Sequence, residues 1–258
     1  MHLQAGVLVM ESKKKRIMLT VAYDGTNYCG WQIQPNGITI EGVLNEKLSE
    51  LLKEDIAVIG ASRTDSGVHA LCNVAVFDTC SPIPGEKISY ALNQSLPEDI
   101  RIVASEEVEE DFHPRHCETR KTYEYHIVNA PFPNPMKRLY CHFTYLPCDV
   151  TAMQQAAEYL IGAHDFKSFC AVGAQVESTV RTITDIKVFR EEDEIIIRVT
   201  GNGFLYNMVR IIAGTLLDVG YGRRKGADMP DILAAKDRQA AGPTAPAHGL
   251  RLVKYEFL

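Results

Sequence analysis

The sequence of 258 residues contains no C-x-x-C pair, and its seven cysteines (Cys29, Cys72, Cys80, Cys117, Cys141, Cys148 and Cys170) are an odd number. Neither a zinc knuckle nor a disulfide frame is expected, and a reducing, cytoplasmic compartment fits. No apolar run approaches the roughly 18 to 20 residues of a membrane span. The stretch Met1 to Met10 lacks a basic segment followed by a long apolar core, so no export is expected either. A Walker A is absent, and Gly201-Asn202-Gly203 opens a Gly-x-Gly whose third glycine is replaced by Tyr206. A nucleotide cofactor is therefore not expected. What is present is ordinary for a folded protein, with 46% hydrophobic and 23% charged residues, which excludes disorder and collagen.

The formal net charge of −6 argues on its face against a polyanionic partner. Its distribution shows that the average decides nothing. Seven acids lie between Glu98 and Asp111, and Glu191, Glu192, Asp193 and Glu194 form a second run. Without those eleven, and without Arg101 inside the first run, 26 basic residues stand against 22 acidic ones. Both runs read as solvated surface that faces away from any bound anion.

Hydrophobic periodicity gives the elements. Arg16 to Asp24 alternates Ile17, Leu19, Val21 and Tyr23 on one face and then meets Asp24-Gly25, a strand ending in a turn. Ile40, Val43, Leu44, Leu48, Leu51 and Leu52 recur at helical spacing behind Thr39, a suitable N-cap. Strands are predicted at Ile56–Ile59, Asn73–Phe77, Ile100–Val108 and Thr122–Val128. Short helices are predicted over Pro82–Asn93 and, capped by Thr151, over Thr151–Gly162. Thr182–Phe189 and Glu194–Thr200 form a hairpin around the second acid run. A strong helix runs over Gly203–Asp218, with Leu205, Met208, Val209, Ile212 and Leu216 as its apolar stripe, and Leu250–Phe257 is a terminal strand. Residues 1–15 are expected to be a disordered leader, with Met10 as an alternative start. The remainder divides near Pro114 into domains 16–112 and 113–258. Without regular strand–helix alternation the fold class is α+β.

Gly60 to Ala70, GASRTDSGVHA, is the segment in which chemistry is concentrated. A loop held by a sheet presents Asp65 two residues from Arg63, and a nearby cation keeps a carboxylate ionised for use as nucleophile or base. The plainer reading, which composition alone favours, makes Asp65 a turn residue and Arg63 a surface ion-pair partner. Cys29-Gly30-Trp31 lacks the rest of a cysteine-protease signature. His113, His116 and Cys117 fit a structural or RNA-facing role better than a metal site. Basic and aromatic residues alternate at Arg115, Arg120, Lys121, Tyr123 and Tyr125, at Tyr206 and Arg210, and at Tyr221, Arg223, Arg224 and Lys225. Cations for phosphates and rings for stacking are what unstacked bases require.

Six ordered blocks identify a family resemblance: YDGTNYCGWQIQPN (Tyr23 to Asn36), SRTDSGVHA (Ser62 to Ala70), ALNQSLPEDI (Ala91 to Ile100), DFHPRHCETRKTYEY (Asp111 to Tyr125), GNGFLYNMVRIIAGTLLDVG (Gly201 to Gly220) and APAHGLRL (Ala245 to Leu252). The chain after residue 16 resembles the tRNA pseudouridine synthase A family. That resemblance implies isomerisation of uridine to pseudouridine at positions 38 to 40 of the tRNA anticodon stem-loop, with no cofactor and no metal. It implies a homodimer whose two subunits contact one tRNA, and two similar α+β halves on a continuous central sheet flanked by helices, with the catalytic cleft between them. The essential aspartate falls on Asp65, its paired arginine on Arg63, the active-site tyrosine on Tyr123 and a second arginine on Arg210. His69, Arg115 and Lys121, together with Arg63 and Tyr123, are the candidate substrate-binding residues. The loop departs from the family's usual Gly and Ala at Ser62 and Ser66. Two other classes compete: an RNA-binding scaffold or tRNA chaperone without catalysis, and a small-molecule hydrolase pairing Asp65 with His69 or His164.

Overall fold

Alternating apolar residues build the first strand, β1 (Lys15–Tyr23), whose inward face is Ile17, Leu19, Val21 and Tyr23. A computed structural model describes residues 13–173 and 176–258. Most of the expected leader lies outside the described residues, but its last residue, Lys15, already belongs to β1 and lies opposite Thr79.

Helix α1 (Ile40–Leu52) follows, capped as expected by Thr39, whose hydroxyl accepts the Gly42 N–H at 3.2 Å. It buries Ile40, Leu44, Leu48 and Leu52, each contributing roughly 1.5–3 kcal/mol. The strand expected at Ile56–Ile59 shrinks to β2 (Ile59–Gly60). The physical reason is local, since the N–H groups of Ile56 and Val58 donate to Ser49 Oγ and Asn45 Oδ1 of α1 rather than to a neighbouring strand. Then come β3 (His69–Thr79), α2 (Gly85–Leu92) and β4 (Ile100–Val108).

The second half contains β5 (Thr119–Asn129), β6 (His142–Thr144), α3 (Val150–Glu158), β7 (Gly162–Asp165), β8 (Val180–Glu191), β9 (Glu194–Gly201), α4 (Met208–Gly220), α5 (Met229–Ala235) and β10 (Leu250–Phe257). Three helix starts differ from expectation, and the first moves α2 from Pro82 to Gly85. Asp149 rather than Thr151 caps α3, accepting the Ala152 N–H at 2.9 Å. The long helix starts at Met208 rather than Gly203, because Asn207 adopts a left-handed conformation (φ 59°) that cannot continue a helix backwards. The acid run sits at the β8–β9 hairpin, where Asp193 and Glu194 accept Lys137 Nζ at 2.7 and 2.8 Å.

Ten described strands form one sheet, whose main path runs β4-β1-β3-β10-β5-β9-β8-β7, with β2 beside β3 and β6 beside β5. The first half supplies one side of this path and the second half the other. The C-terminal strand closes the gap, running parallel to β3 (Arg251 opposite His69) and antiparallel to β5 (Leu252 opposite Tyr123). The architecture is the expected α+β one, a continuous central sheet flanked by helices. No helix among the described residues is long and apolar enough to cross a membrane.

Candidate active site

Asp65 lies on the connection between β2 and β3, and the sequence holds this connection from several directions. The Thr64 carbonyl accepts the Trp31 N–H at 3.0 Å, and the Tyr28 carbonyl accepts both the Gly67 N–H at 3.3 Å and the Ser66 hydroxyl at 3.2 Å. Gly30 has φ +86°, and a Cβ there would lie 2.6 Å from Thr64 O, so only glycine lets the two backbones approach this closely. From below, the Tyr23 hydroxyl bonds Thr64 Oγ1 at 2.7 Å, while Asn73 Nδ2 donates to Tyr23 OH at 3.2 Å and to Ser62 O at 3.0 Å. The roles of Tyr23, Gly30, Trp31 and Asn73 went unread in the sequence. Asn73 carried a signal, because a buried amide in the middle of an apolar strand must find partners.

The first turn of α4 brings a cation to the loop. Arg210 Nη1 stands 3.5 Å from Asp65 Oδ2 and donates to Asn207 Oδ1 at 2.7 Å, while Nε donates to Ala245 O at 2.8 Å. These contacts aim the guanidinium. The expected pairing of Asp65 with Arg63 is not formed, since Arg63 is exposed and makes no ion pair among the described residues. Burial pushes the Asp65 carboxyl above the ordinary aspartate value, and Arg210 pulls it part of the way back.

A cleft of about 810 Å³ opens over this pair, with Arg63, Asp65, Arg115, Lys121, Tyr123 and Arg181 on its walls. It draws on both halves of the sheet. Tyr123, on β5, packs edge-on against Phe204 at 5.2 Å between centroids, and burial raises its phenol well above the ordinary tyrosine value. Lys121 lies over the Tyr255 ring at 5.1 Å. Burial, then Arg115 and Arg181, lower its ammonium to about 8. Arg115 Nε donates to Gly60 O at 2.7 Å, fastening this wall to the strand that leads into the Asp65 loop.

His69 is among the expected substrate-binding residues. It is buried outside the cleft: Nδ1 accepts the Gly25 N–H at 3.0 Å, and Nε2 lies 3.2 Å from His248 O. The contact with His248 joins the two halves of the chain. His113 and His116 stack on each other at 3.9 Å. The one trio of metal-type ligands among the described residues is His126, Cys141 and Glu194. Both nitrogens of His126 already meet carboxylates, Glu194 at 2.8 Å and Glu124 at 2.9 Å, and Lys137 occupies Glu194. The seven cysteines are all free thiols.

The chain is similar to known proteins over most of its length. The sequence pattern of the family described as tRNA pseudouridine synthase matches residues 19–116 and 156–257. A protein of Ruminiclostridium cellulolyticum named tRNA pseudouridine synthase A is 53% identical over 245 residues, covering 94% of this chain and 100% of that protein. One of the same name from Thermoanaerobacter sp. (strain X514) is 49% identical over 240 residues, covering 93% of this chain and 98% of that protein. Among solved structures, a chain of a Cbf5-Nop10-Gar1 complex is similar at a TM-score of 0.36 and 14% identity, over 92% of this chain and 48% of that one.

Proposed function

The chain belongs to the tRNA pseudouridine synthase family, and on that premise we propose that it isomerises uridine to pseudouridine at positions 38 to 40 of the tRNA anticodon stem-loop, with Asp65 acting on the ribose of a nucleotide drawn into the cleft. The observation that carries the reading is a half-buried carboxylate beside an aimed guanidinium, on the wall of a cleft lined by cations and a tyrosine. A base inside a stem is out of reach, so the nucleotide must leave its stack first.

The C1′–N1 bond then breaks and its electron pair stays with the uracil. The base turns, C5 bonds to C1′, and the C5 proton leaves while N1 gains one, so the product is an isomer of the substrate. Two routes use the same carboxylate. In one, Asp65 attacks C1′ and holds the ribose as an ester until C5 displaces it. In the other it withdraws the C2′ proton as the uracil leaves, giving a glycal, and returns that proton to C2′ when C5 bonds to C1′. Both need Asp65 ionised, and this is the task of Arg210. Tyr123 packs on the uracil and stands where the C5 proton is lost. Arg63, at the exposed edge, fills the space of the extruded base. Arg115, Lys121 and Arg181 meet the phosphates. The reading calls for no cofactor, and includes a cytoplasmic homodimer in which one tRNA touches both subunits.

Loss of the C5 proton gives the test. With tRNA carrying tritium at C5 of uridine, the protein is expected to release tritium and Asp65→Ala to release none while still binding the RNA. Unchanged release by that variant removes Asp65 from the mechanism. Binding without release by the unaltered protein means a scaffold and not an enzyme.

A further inference from the structure

Two hydroxyls beside Asp65 lack completed hydrogen bonds. Ser62 lines the cleft and is only 6% exposed, and its Oγ is buried without a partner. Buried hydroxyls in folded proteins are nearly always bonded, so an orphan is either a cost without return or a group waiting for a partner. The second hydroxyl is that of Tyr123, 9% exposed. The other buried tyrosines are satisfied: Tyr23 by Thr64 Oγ1 at 2.7 Å, Tyr28 by Asp99 at 2.5 Å and Tyr125 by Pro246 O at 2.9 Å. Tyr123 has no such bond among the described residues.

Ser62 and Tyr123 line the same cleft. The Ser62 hydroxyl is the side chain that draws the Tyr123 phenol back down, against burial and the charge of Asp65. The main chain of Ser62 is fixed, its carbonyl accepting Asn73 Nδ2 at 3.0 Å. The Tyr123 ring is held on one side by Phe204. Filling the cleft supplies the occasion for the two hydroxyls to meet.

We propose that Ser62 is a positioning residue for Tyr123: with a nucleoside in the cleft, the Ser62 hydroxyl donates a hydrogen bond to the Tyr123 phenol oxygen and fixes the ring against the base. This rests on the reading of Tyr123 as the ring that meets the uracil. The bond joins the catalytic loop of one half to β5 of the other, so both walls of the cleft become fixed together. It leaves the phenol proton free to point elsewhere, at Asp65 or at the base.

A double-mutant cycle tests it, using the full protein, tRNA substrate and tritium release under single-turnover and steady-state conditions. Ser62→Ala removes only an unpartnered oxygen, so its melting temperature is expected to equal or exceed that of the unaltered protein. Its kcat is expected to fall about tenfold with KM within about twofold, and Ser62→Ala is expected to add nothing to the loss caused by Tyr123→Phe. An equal fold-loss in both backgrounds overturns the proposal, as does a Ser62→Ala enzyme at full rate, or one that melts lower because the hydroxyl was already bonded. If the unaltered protein itself forms no pseudouridine, the reading of the function fails. Full activity with an additive cycle defeats only the role of Ser62.

Discussion

Asp65 is subject to two opposed influences. Removal from water favours its protonated form, and Arg210 at 3.5 Å favours the carboxylate, with burial the larger influence. Arg210→Gln is therefore expected to raise the Asp65 pKa further. The acid limb of kcat/KM against pH should move to higher pH, with activity at neutral pH reduced roughly 10- to 100-fold, the size expected for loss of a charged hydrogen-bond partner. A limb that stays in place shows that Arg210 does not hold the charge. The same balance has a consequence for stability. A carboxylate whose pKa is raised by folding destabilises the native state wherever it is ionised, so Asp65→Asn should abolish turnover yet raise the melting temperature at neutral pH. The gain should fade as pH falls, beginning at the raised native value and vanishing below the unfolded one, where both side chains are uncharged. Thermal melts at several pH values read this directly. Asp65 was legible in the sequence because its loop motif is contiguous. Arg63 was expected as its cation, with Arg210 assigned to Asp65 or a phosphate, because a loop path has no period from which to infer who faces whom. The contact with Arg210 exists only once α4 packs.

The connection that carries Asp65 keeps its shape through bonds from other elements. Tyr23, at the end of β1, gives one hydroxyl to both Thr64 and Asn73. Tyr23→Phe leaves Asn73 bonded to Ser62 O but orphans the buried Thr64 hydroxyl. The expected cost is about 1–3 kcal/mol of stability, measurable by urea denaturation. Because the loop that aims Asp65 is loosened, kcat should fall severalfold while KM changes little. A KM effect alone would place Tyr23 in binding instead. Elements with long apolar periods were the readable ones: β4 and β10 end where the alternation of the sequence ends, at Ile100–Val108 and Leu250–Phe257. Boundaries decided by a single backbone choice were not. Nothing in the apolar stripe from Leu205 onward announces that Asn207 turns left-handed, or that side chains of α1 take the N–H groups of Ile56 and Val58.

The α+β class of the whole molecule was readable from local patterns of strands and helices, but the way the sheet closes was not. Pairing of the last strand with β3, parallel and far apart in sequence, depends on the completed fold. The same is true of charge. A net −6 describes the chain, whereas the cleft gathers Arg63, Arg115, Lys121 and Arg181, none of them in an ion pair with a carboxylate among the described residues. These cations repel one another, which is part of why Lys121 is lowered to about 8. Phosphates entering the cleft relieve that repulsion and release their counterions. With some four contacts, and about 0.7 to 0.9 ions released per phosphate, the logarithm of tRNA affinity should fall against the logarithm of salt with a slope of about −3. Arg115→Met or Arg181→Met should each make the slope shallower by about one. Glu191→Gln, in the acid run at the hairpin tip, should leave it unchanged, because a charge beyond a Debye length from the bound phosphates is screened. Filter-binding titrations across a range of salt distinguish these outcomes. If the hairpin substitution changes the slope as much as the cleft ones do, the RNA is held by the general field of the protein and not by this groove.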